Sequence, residues 1–142
     1  MAVEAAYDVP GNILEFGVYQ GESTRTIIRT LRRLKRTHTA RPLKRVFACD
    51  SFEGLPETWE TLEVGHFACE PPKIPGATIV KGFCATSLNP ELAQRAGRVA
   101  LASLDADLFS STLCALTRLT PLLGIGSLLL FDEYLGDGGA EK

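Results

Sequence analysis

The sequence predicts an α/β protein built on a doubly wound parallel sheet with strand order 3-2-1-4-5. Three observations carry that prediction. Short apolar runs alternate with longer stretches of helical periodicity, and no tight hairpin turn joins consecutive runs. The first run passes through a glycine-bracketed turn, Gly17-Val18-Tyr19-Gln20-Gly21, straight into a helix. Carboxylates end four of the runs: Glu15, Asp50, Asp105 and Asp132-Glu133. In a parallel sheet such ends lie along one edge, where the ligand crevice is.

The chain has 142 residues, enough for one domain with one core, assigned to residues 1–142 with its recognisable elements in 11–134. Hydrophobic residues make up 45% and charged residues 23%, an ordinary globular balance. A net charge of −2 gives no general drive toward nucleic acid. Arg29, Arg32, Arg33, Lys35, Arg36, Arg41, Lys44 and Arg45 fall close together and read as the solvated back of a helix with its exit loop; an RNA-binding patch is the alternative. No nucleic-acid partner is therefore expected. Cys49, Cys69, Cys84 and Cys114 lie far apart, without zinc-type spacing among themselves or with His38 and His66, and read as reduced thiols. The first ten residues lack a cationic start followed by an apolar run, and Leu128 to Phe131 is too short to span a membrane. The expectation is a cytoplasmic protein with no membrane partner.

Taken in order, residues 1–10 read only as a lead-in. Residues 12–16 form the first strand. Gly17 and Gly21 supply the backbone freedom of a sharp turn, and Ser23 is the N-cap candidate for the helix after it. Residues 22–36 read as that helix, with Ile27, Ile28, Leu31 and Leu34 on one face. Val46 to Cys49 is the second strand, ending on Asp50. Residues 57–76 hold Glu57, Glu60 and Glu63 in an acidic turn or short helix, broken by prolines; so long a loop at the carboxyl edge suits a lid or binding loop. Ala77 to Val80 is the third strand, and Asn89-Pro90 starts a short helix running to about Ala96. Val99 to Leu104 is the fourth strand. Residues 109–123 make a helix with Leu113, Leu116, Leu119 and Leu123 inward, shortened by Pro121 and capped by Gly124. Ser127 to Phe131 is the fifth strand, and a polar Gly-rich tail ends the chain.

The strand-end acids divide by position. Glu15 and Asp50 stand by the glycine turn and face a bound cofactor. A carboxylate at Glu15 repels a pyrophosphate but suits a ligand carrying an ammonium and a sulfonium, which favours S-adenosylmethionine over NAD. The Gly-x-x-x-Gly spacing also lacks the middle glycine of a dinucleotide site. Asp50, at the end of the second strand, can take both ribose hydroxyls of a nucleoside; the alternative is an Asp that caps a turn before Phe52. Asp105, Asp132 and Glu133 come from neighbouring strands and offer three hard oxygen donors, which suit Mg²⁺. The alternatives are N-capping of the next helix by Asp105 or Asp107, and a plain polar strand exit at Asp132-Glu133.

Together these stretches resemble a known family. Leu14-Glu15-Phe16-Gly17-Val18-Tyr19-Gln20-Gly21-Glu22-Ser23, Phe47-Ala48-Cys49-Asp50-Ser51-Phe52-Glu53-Gly54-Leu55-Pro56, Val80-Lys81-Gly82-Phe83, Leu104-Asp105-Ala106-Asp107-Leu108-Phe109-Ser110-Ser111-Thr112 and Phe131-Asp132-Glu133-Tyr134 are similar to class I S-adenosylmethionine-dependent methyltransferases with a Rossmann-like core. More narrowly, they resemble the macrocin/mycinamicin type of sugar O-methyltransferase (TylF/MycF/NovP-like). The resemblance implies that Glu15, Gly17 and Gly21 cradle the methionine part of the cofactor, helped by Ser23, and that Asp50 holds the ribose with Ser51 and Phe52 beside it. It implies Mg²⁺ on Asp105, Asp132 and Glu133, Asp105 as general base, and a small-molecule hydroxyl, on a sugar or other natural product, as methyl acceptor. Glu133 stands where the family usually has a second Asp, Ser127 replaces a usual glycine, and Phe109 replaces a common Tyr.

Family members also carry N-terminal helices and further strands after the fifth, so the chain reads as truncated at both ends. That leaves a second reading, a truncated, non-catalytic cofactor-binding remnant. Leu128 to Phe131 reads as buried on both faces, as in an interior strand. With nothing to cover its outer edge, the expectation is a homo-oligomer through the strand-five side.

Overall fold

The structure, a computed structural model, describes residues 2–40 and 42–132. Glu133 and the polar tail lie outside the described residues. The elements run α1 (Ala2–Ala5), β1 (Asn12–Phe16), α2 (Glu22–Thr37), β2 (Val46–Asp50), β3 (Ala77–Lys81), α3 (Cys84–Ser87), α4 (Pro90–Ala96), β4 (Val99–Leu104), α5 (Phe109–Leu119), a 3₁₀ turn (Thr120–Leu122) and β5 (Leu128–Phe131). All strand pairs are parallel, and the sheet order is β3-β2-β1-β4-β5, as the sequence predicts.

β1 is the central strand, paired with β2 on one side and β4 on the other. Because side chains alternate across a strand, its residues feed two cores. Ile13 points to one face, where it packs with Ile27, Ile28 and Leu31 of α2. Leu14 and Phe16 point to the other, with Leu88, Leu92, Ala115 and Leu119 from α3 to α5. Helices therefore cover both faces, and the strands read as continuous apolar runs for that reason.

Several expectations need correction. The lead-in contains α1, and Val3, Ala6 and Tyr7 are buried against α2. Ser23 is not the N-cap of α2: Gly21 holds that position with φ 81°, and no side chain caps the helix. The left-handed turn that closes the loop needs a glycine there, which moves the helix start ahead of Ser23. α5 ends at Leu119 and continues as a 3₁₀ turn around Pro121, so Gly124 does not cap it. Leu113 is 49% exposed, not inward: Ala115 and Leu119, four residues apart on another face, carry the buried stripe. Leu108, not Asp105 or Asp107, sits at the N-cap of α5. Among the described residues β5 is an edge strand, and Leu129 and Leu130 are 38% and 45% exposed, so its burial on both faces is not met. No helix among the described residues is long and apolar enough to cross a membrane.

The loop from 51 to 76 is ordered by its own backbone. Leu55 N–H donates to His66 O at 2.9 Å, Gly65 N–H donates to Leu55 O at 2.9 Å, and Cys69 N–H donates to Phe52 O at 3.2 Å. It contains turns and a bridge between Trp59 and Leu62, and no helix. Ser110 of α5 donates to the Glu57 carboxylate and ties this loop to the other side of the sheet edge.

Candidate functional site

Parallel pairing brings the carboxyl ends of all the strands to one edge, and a cavity of about 640 Å³ opens there. Its walls come mainly from four strand ends and the segments after them: Phe16–Ser23 at β1, Cys49–Ser51 with Gly54–Pro56 at β2, Gly82–Cys84 with Ser87 at β3, and Asp105–Asp107 at β4.

The turn after β1 is shaped by Gly17 and Gly21, with φ 84° and φ 81°. A Cβ added to Gly17 would land on the Asp105 carbonyl oxygen. The bare backbone of Gly17 thus lets β1 and β4 exits close against each other under the cavity. Between the two glycines, Tyr19 is held at φ 47°, and across the cavity Phe67 and Asp107 stand at φ 67° and φ 57°. Left-handed backbone at non-glycine residues costs energy and gathers at functional sites.

Asp50 organises this turn. Its Oδ2 accepts from the N–H groups of Val18 at 2.7 Å and Tyr19 at 2.8 Å, and its Oδ1 accepts from Phe52 N–H at 2.7 Å. The carboxylate thereby locks the β1 exit to the β2 exit. It has about four acceptor positions, and three are taken. Ser51 is spent locally as well: its Oγ accepts from Glu53 N–H at 3.1 Å and donates to the Gly54 carbonyl at 3.4 Å.

Of the cofactor candidates, Gly17, Gly21, Ser23, Asp50 and Ser51 line the cavity; Glu15 and Phe52 do not. Glu15 shares the face of Ile13, so the pleat turns it toward α2, where it is 1% exposed and accepts a hydrogen bond from Thr24 Oγ1. Burial pushes its carboxyl above the ordinary range, and hydrogen bonds from Thr24 and Ser23 oppose that. Phe52, at φ 58°, turns inward and packs with Val18 and Ile74. Asp105 lines the cavity, whereas Asp132 is exposed and outside its wall, and Glu133 lies beyond the described residues.

Asp105 and Asp132 nonetheless follow paired residues, Leu104 and Phe131, and Asp132 N–H donates to Leu104 O at 3.2 Å. Burial, with the negative fields of Asp132 and Asp50, pushes the Asp107 carboxyl up, while His66 works the other way. Among the described residues no three His, Cys, Asp or Glu side chains are grouped to hold a metal. All four cysteines are free, and burial first of all pushes the Cys49 and Cys84 thiols up to about 12, so both are neutral at neutral pH.

The cavity also takes in residues assigned no site role from the sequence: Tyr19, Leu55, Phe67, Phe83, Ser87 and Ser111. Tyr19 and Phe67 meet edge to face, with ring centroids 5.7 Å apart.

A five-stranded parallel sheet in this order, with a glycine turn after β1 and acids at the ends of β2 and β4, defines a nucleotide-type α/β site. A profile for a methyltransferase domain matches residues 14–134, and the chain belongs to that family. It is 30% identical over 150 aligned residues to the 8-demethyl-8-(2,3-dimethoxy-α-L-rhamnosyl)-tetracenomycin-C 4′-O-methyltransferase of Streptomyces olivaceus, covering 91% of this chain and 55% of that protein. Among solved structures, the calicheamicin methyltransferase CalS11 superposes with a TM-score of 0.70 at 27% identity, over 93% of this chain and 62% of that one. The O-methyltransferase NovP shares the fold, with a TM-score of 0.64 at 22% identity over 92% of this chain and 62% of its own. The chain thus spans between about half and two thirds of the length of these relatives.

Proposed function

We propose that this chain forms the cofactor-binding part of an S-adenosylmethionine-dependent O-methyltransferase whose acceptor is a sugar hydroxyl on a small natural product. The supporting observation is the cavity at the carboxyl edge, where the Gly17–Gly21 turn, Asp50 and Asp105 converge in a chain of the methyltransferase-domain family. The names of the relatives supply the acceptor class, since one of them methylates a rhamnosyl group. The acids at this edge favour a cationic ligand such as a sulfonium.

In this reading the turn backbone cradles the amino-acid end of the cofactor and Asp50 meets its ribose. Glu15 acts from behind the turn, by holding the start of α2 through Thr24. The methyl passes from sulfur to the acceptor oxygen: the S–C bond breaks, the O–C bond forms, and S-adenosylhomocysteine leaves as a neutral thioether. The hydroxyl proton goes to the Asp105 carboxylate as general base. The sulfonium already activates the methyl, so the protein's main task is in-line alignment.

The calorimetric test uses S-adenosylhomocysteine. Saturable binding to the wild-type chain, with a raised melting temperature, is the expected result. Absence of both heat and thermal shift at millimolar ligand would overturn the cofactor reading.

Mg²⁺ belongs to the same proposal. The donors that bear on it are the hard carboxylates of Asp105 and Asp132 on paired strand ends, with Glu133 as the third. Their chemistry fits a hard divalent cation. Mg²⁺, when bound, lowers the pKa of the acceptor hydroxyl. Addition of Mg²⁺ is expected to raise the melting temperature of the wild type, and Asp132→Asn to remove most of that rise. An undiminished rise in Asp132→Asn would dismiss Asp132 as a ligand.

A further inference from the structure

Arg25, Arg29, Arg32 and Arg36 follow one another along α2 at the spacing i, i+4, i+7, i+11. At 3.6 residues per turn they fall within about 60° of arc and extend over about 16 Å of helix. All four are exposed, and they lie outside the stripe of Ile27, Ile28 and Leu31 that faces the core. Lys73, also exposed, belongs to the segment 72–75 that borders the row.

The row is not neutralised from within. Arg25 donates to Gln20 O at 2.6 Å, Arg29 to Thr26 Oγ1 at 2.9 Å and Arg32 to Pro75 O at 2.9 Å, all uncharged acceptors. Arg33 pairs with Glu4, but Arg33 stands at the flank of the row. Glu22, in the first turn, is the only acid in α2. Among the described residues no carboxylate pairs with any of the four. Like charges three and four residues apart on a helix repel, so the row works against the stability of the free helix. The chain as a whole carries −2, so this is a local concentration of positive charge.

We propose that this row is a docking surface for an acidic helix of a partner protein. The planar fork of arginine pairs with a carboxylate through two hydrogen bonds. A second helix has the same rise per residue, so Glu or Asp at the same spacing meets the whole row in register. Nucleic acid fits less well. α2 carries no aromatic ring on which a base could stack, and the net charge of the chain repels a polyanion. The row reaches the functional cavity at its first turn, where Arg25 holds the carbonyl of Gln20, a residue of the cavity wall. A partner seated on α2 therefore stands beside the cavity without entering it. The proposal does not depend on which ligand the cavity takes.

The probe is an alanine-based peptide of about 20 residues, long enough to be partly helical in water, with glutamates at this spacing. In an NMR titration it is expected to shift the backbone amide signals of α2. Combining Arg29→Glu with Arg36→Glu is expected to weaken binding by about tenfold or more. Raising salt from about 0.1 M to about 1 M is expected to weaken it as well, since the screening length falls from about 10 Å to about 3 Å. Arg29 bonds only within α2, and Arg36 has no side-chain bond among the described residues, so the double variant is expected to melt no lower than wild type. Arg95→Glu is the charge-matched control for Arg29→Glu, because Arg95 is exposed on α4, which packs on the opposite face of the sheet. It is expected to leave peptide binding unchanged. The proposal falls if Arg29→Glu and Arg95→Glu weaken the peptide alike, if a peptide with its glutamates at scrambled spacing binds equally well, or if no α2 signal shifts at millimolar peptide. Tighter binding of a uridine oligonucleotide of equal charge, lost in the Arg29→Glu/Arg36→Glu variant, would make the row a nucleic-acid surface and overturn the acidic-helix assignment.

Discussion

Gly17→Ala is expected to be the most damaging single methyl in the chain. Two costs add at this position. The backbone stands at φ 84°, where an alanine is strained by about 1–3 kcal/mol. The new Cβ would also land on the Asp105 carbonyl oxygen, which is backbone and cannot swing aside. Relieving that collision means parting the exits of β1 and β4, and overpacking of this kind costs about 1–3 kcal/mol more. Against a total stability of about 5–15 kcal/mol, much of the fold's margin goes. The ligand effect is larger still, because the same displacement opens the turn whose backbone faces the cavity. Urea denaturation is expected to show the loss of stability, and calorimetry to show no binding of S-adenosylhomocysteine. Gly97→Ala is the control. Gly97 has φ 60° but nothing within 4 Å of an added Cβ, so it isolates the backbone cost. Equal stability losses in the two variants would mean that the Gly17–Asp105 approach is not tight.

The sheet was legible because parallel strands buried on both faces must be apolar throughout, and each run here ends at a glycine or a carboxylate. The side chains at the site were less so. Glu15 could have been placed by counting: it is two residues from Ile13, so it shares the α2 face and turns away from the crevice. Phe52 could not, since its inward turn depends on φ 58°, which nothing in the sequence requires. Ser23 looks like a cap by composition, but the left-handed conformation of Gly21 fixes the helix start first. α1 is too short to display a period, although its Val3 is core.

Asp50→Ala is expected to cost both stability and affinity, and the geometry separates the two. In the free protein the carboxylate accepts from Val18, Tyr19 and Phe52 N–H groups, which would lose their partner together. Bonds to a charged acceptor are worth about 1.5–3 kcal/mol each, and water can replace the exposed one at Tyr19, so the net loss is about 2–5 kcal/mol. That loss alone would loosen the cavity, so weak binding by this variant says little about the ribose. The lone-pair count gives a sharper expectation. Oδ2 carries two of the three bonds and Oδ1 one, which leaves a single acceptor position, on Oδ1. The sequence allows Asp50 to take both ribose hydroxyls; with the turn intact, the structure has room for one. Removing the hydroxyl that Asp50 meets should therefore weaken wild-type binding by about tenfold or more, and removing its neighbour should matter much less. Calorimetry with the 2′-deoxy and 3′-deoxy forms of S-adenosylhomocysteine reads this directly, and Asp50→Asn, which keeps one oxygen acceptor for the turn, should flatten the difference. If both deoxy ligands bind wild type as well as the parent does, Asp50 is an organiser of the β1 turn and has no part in holding the ribose.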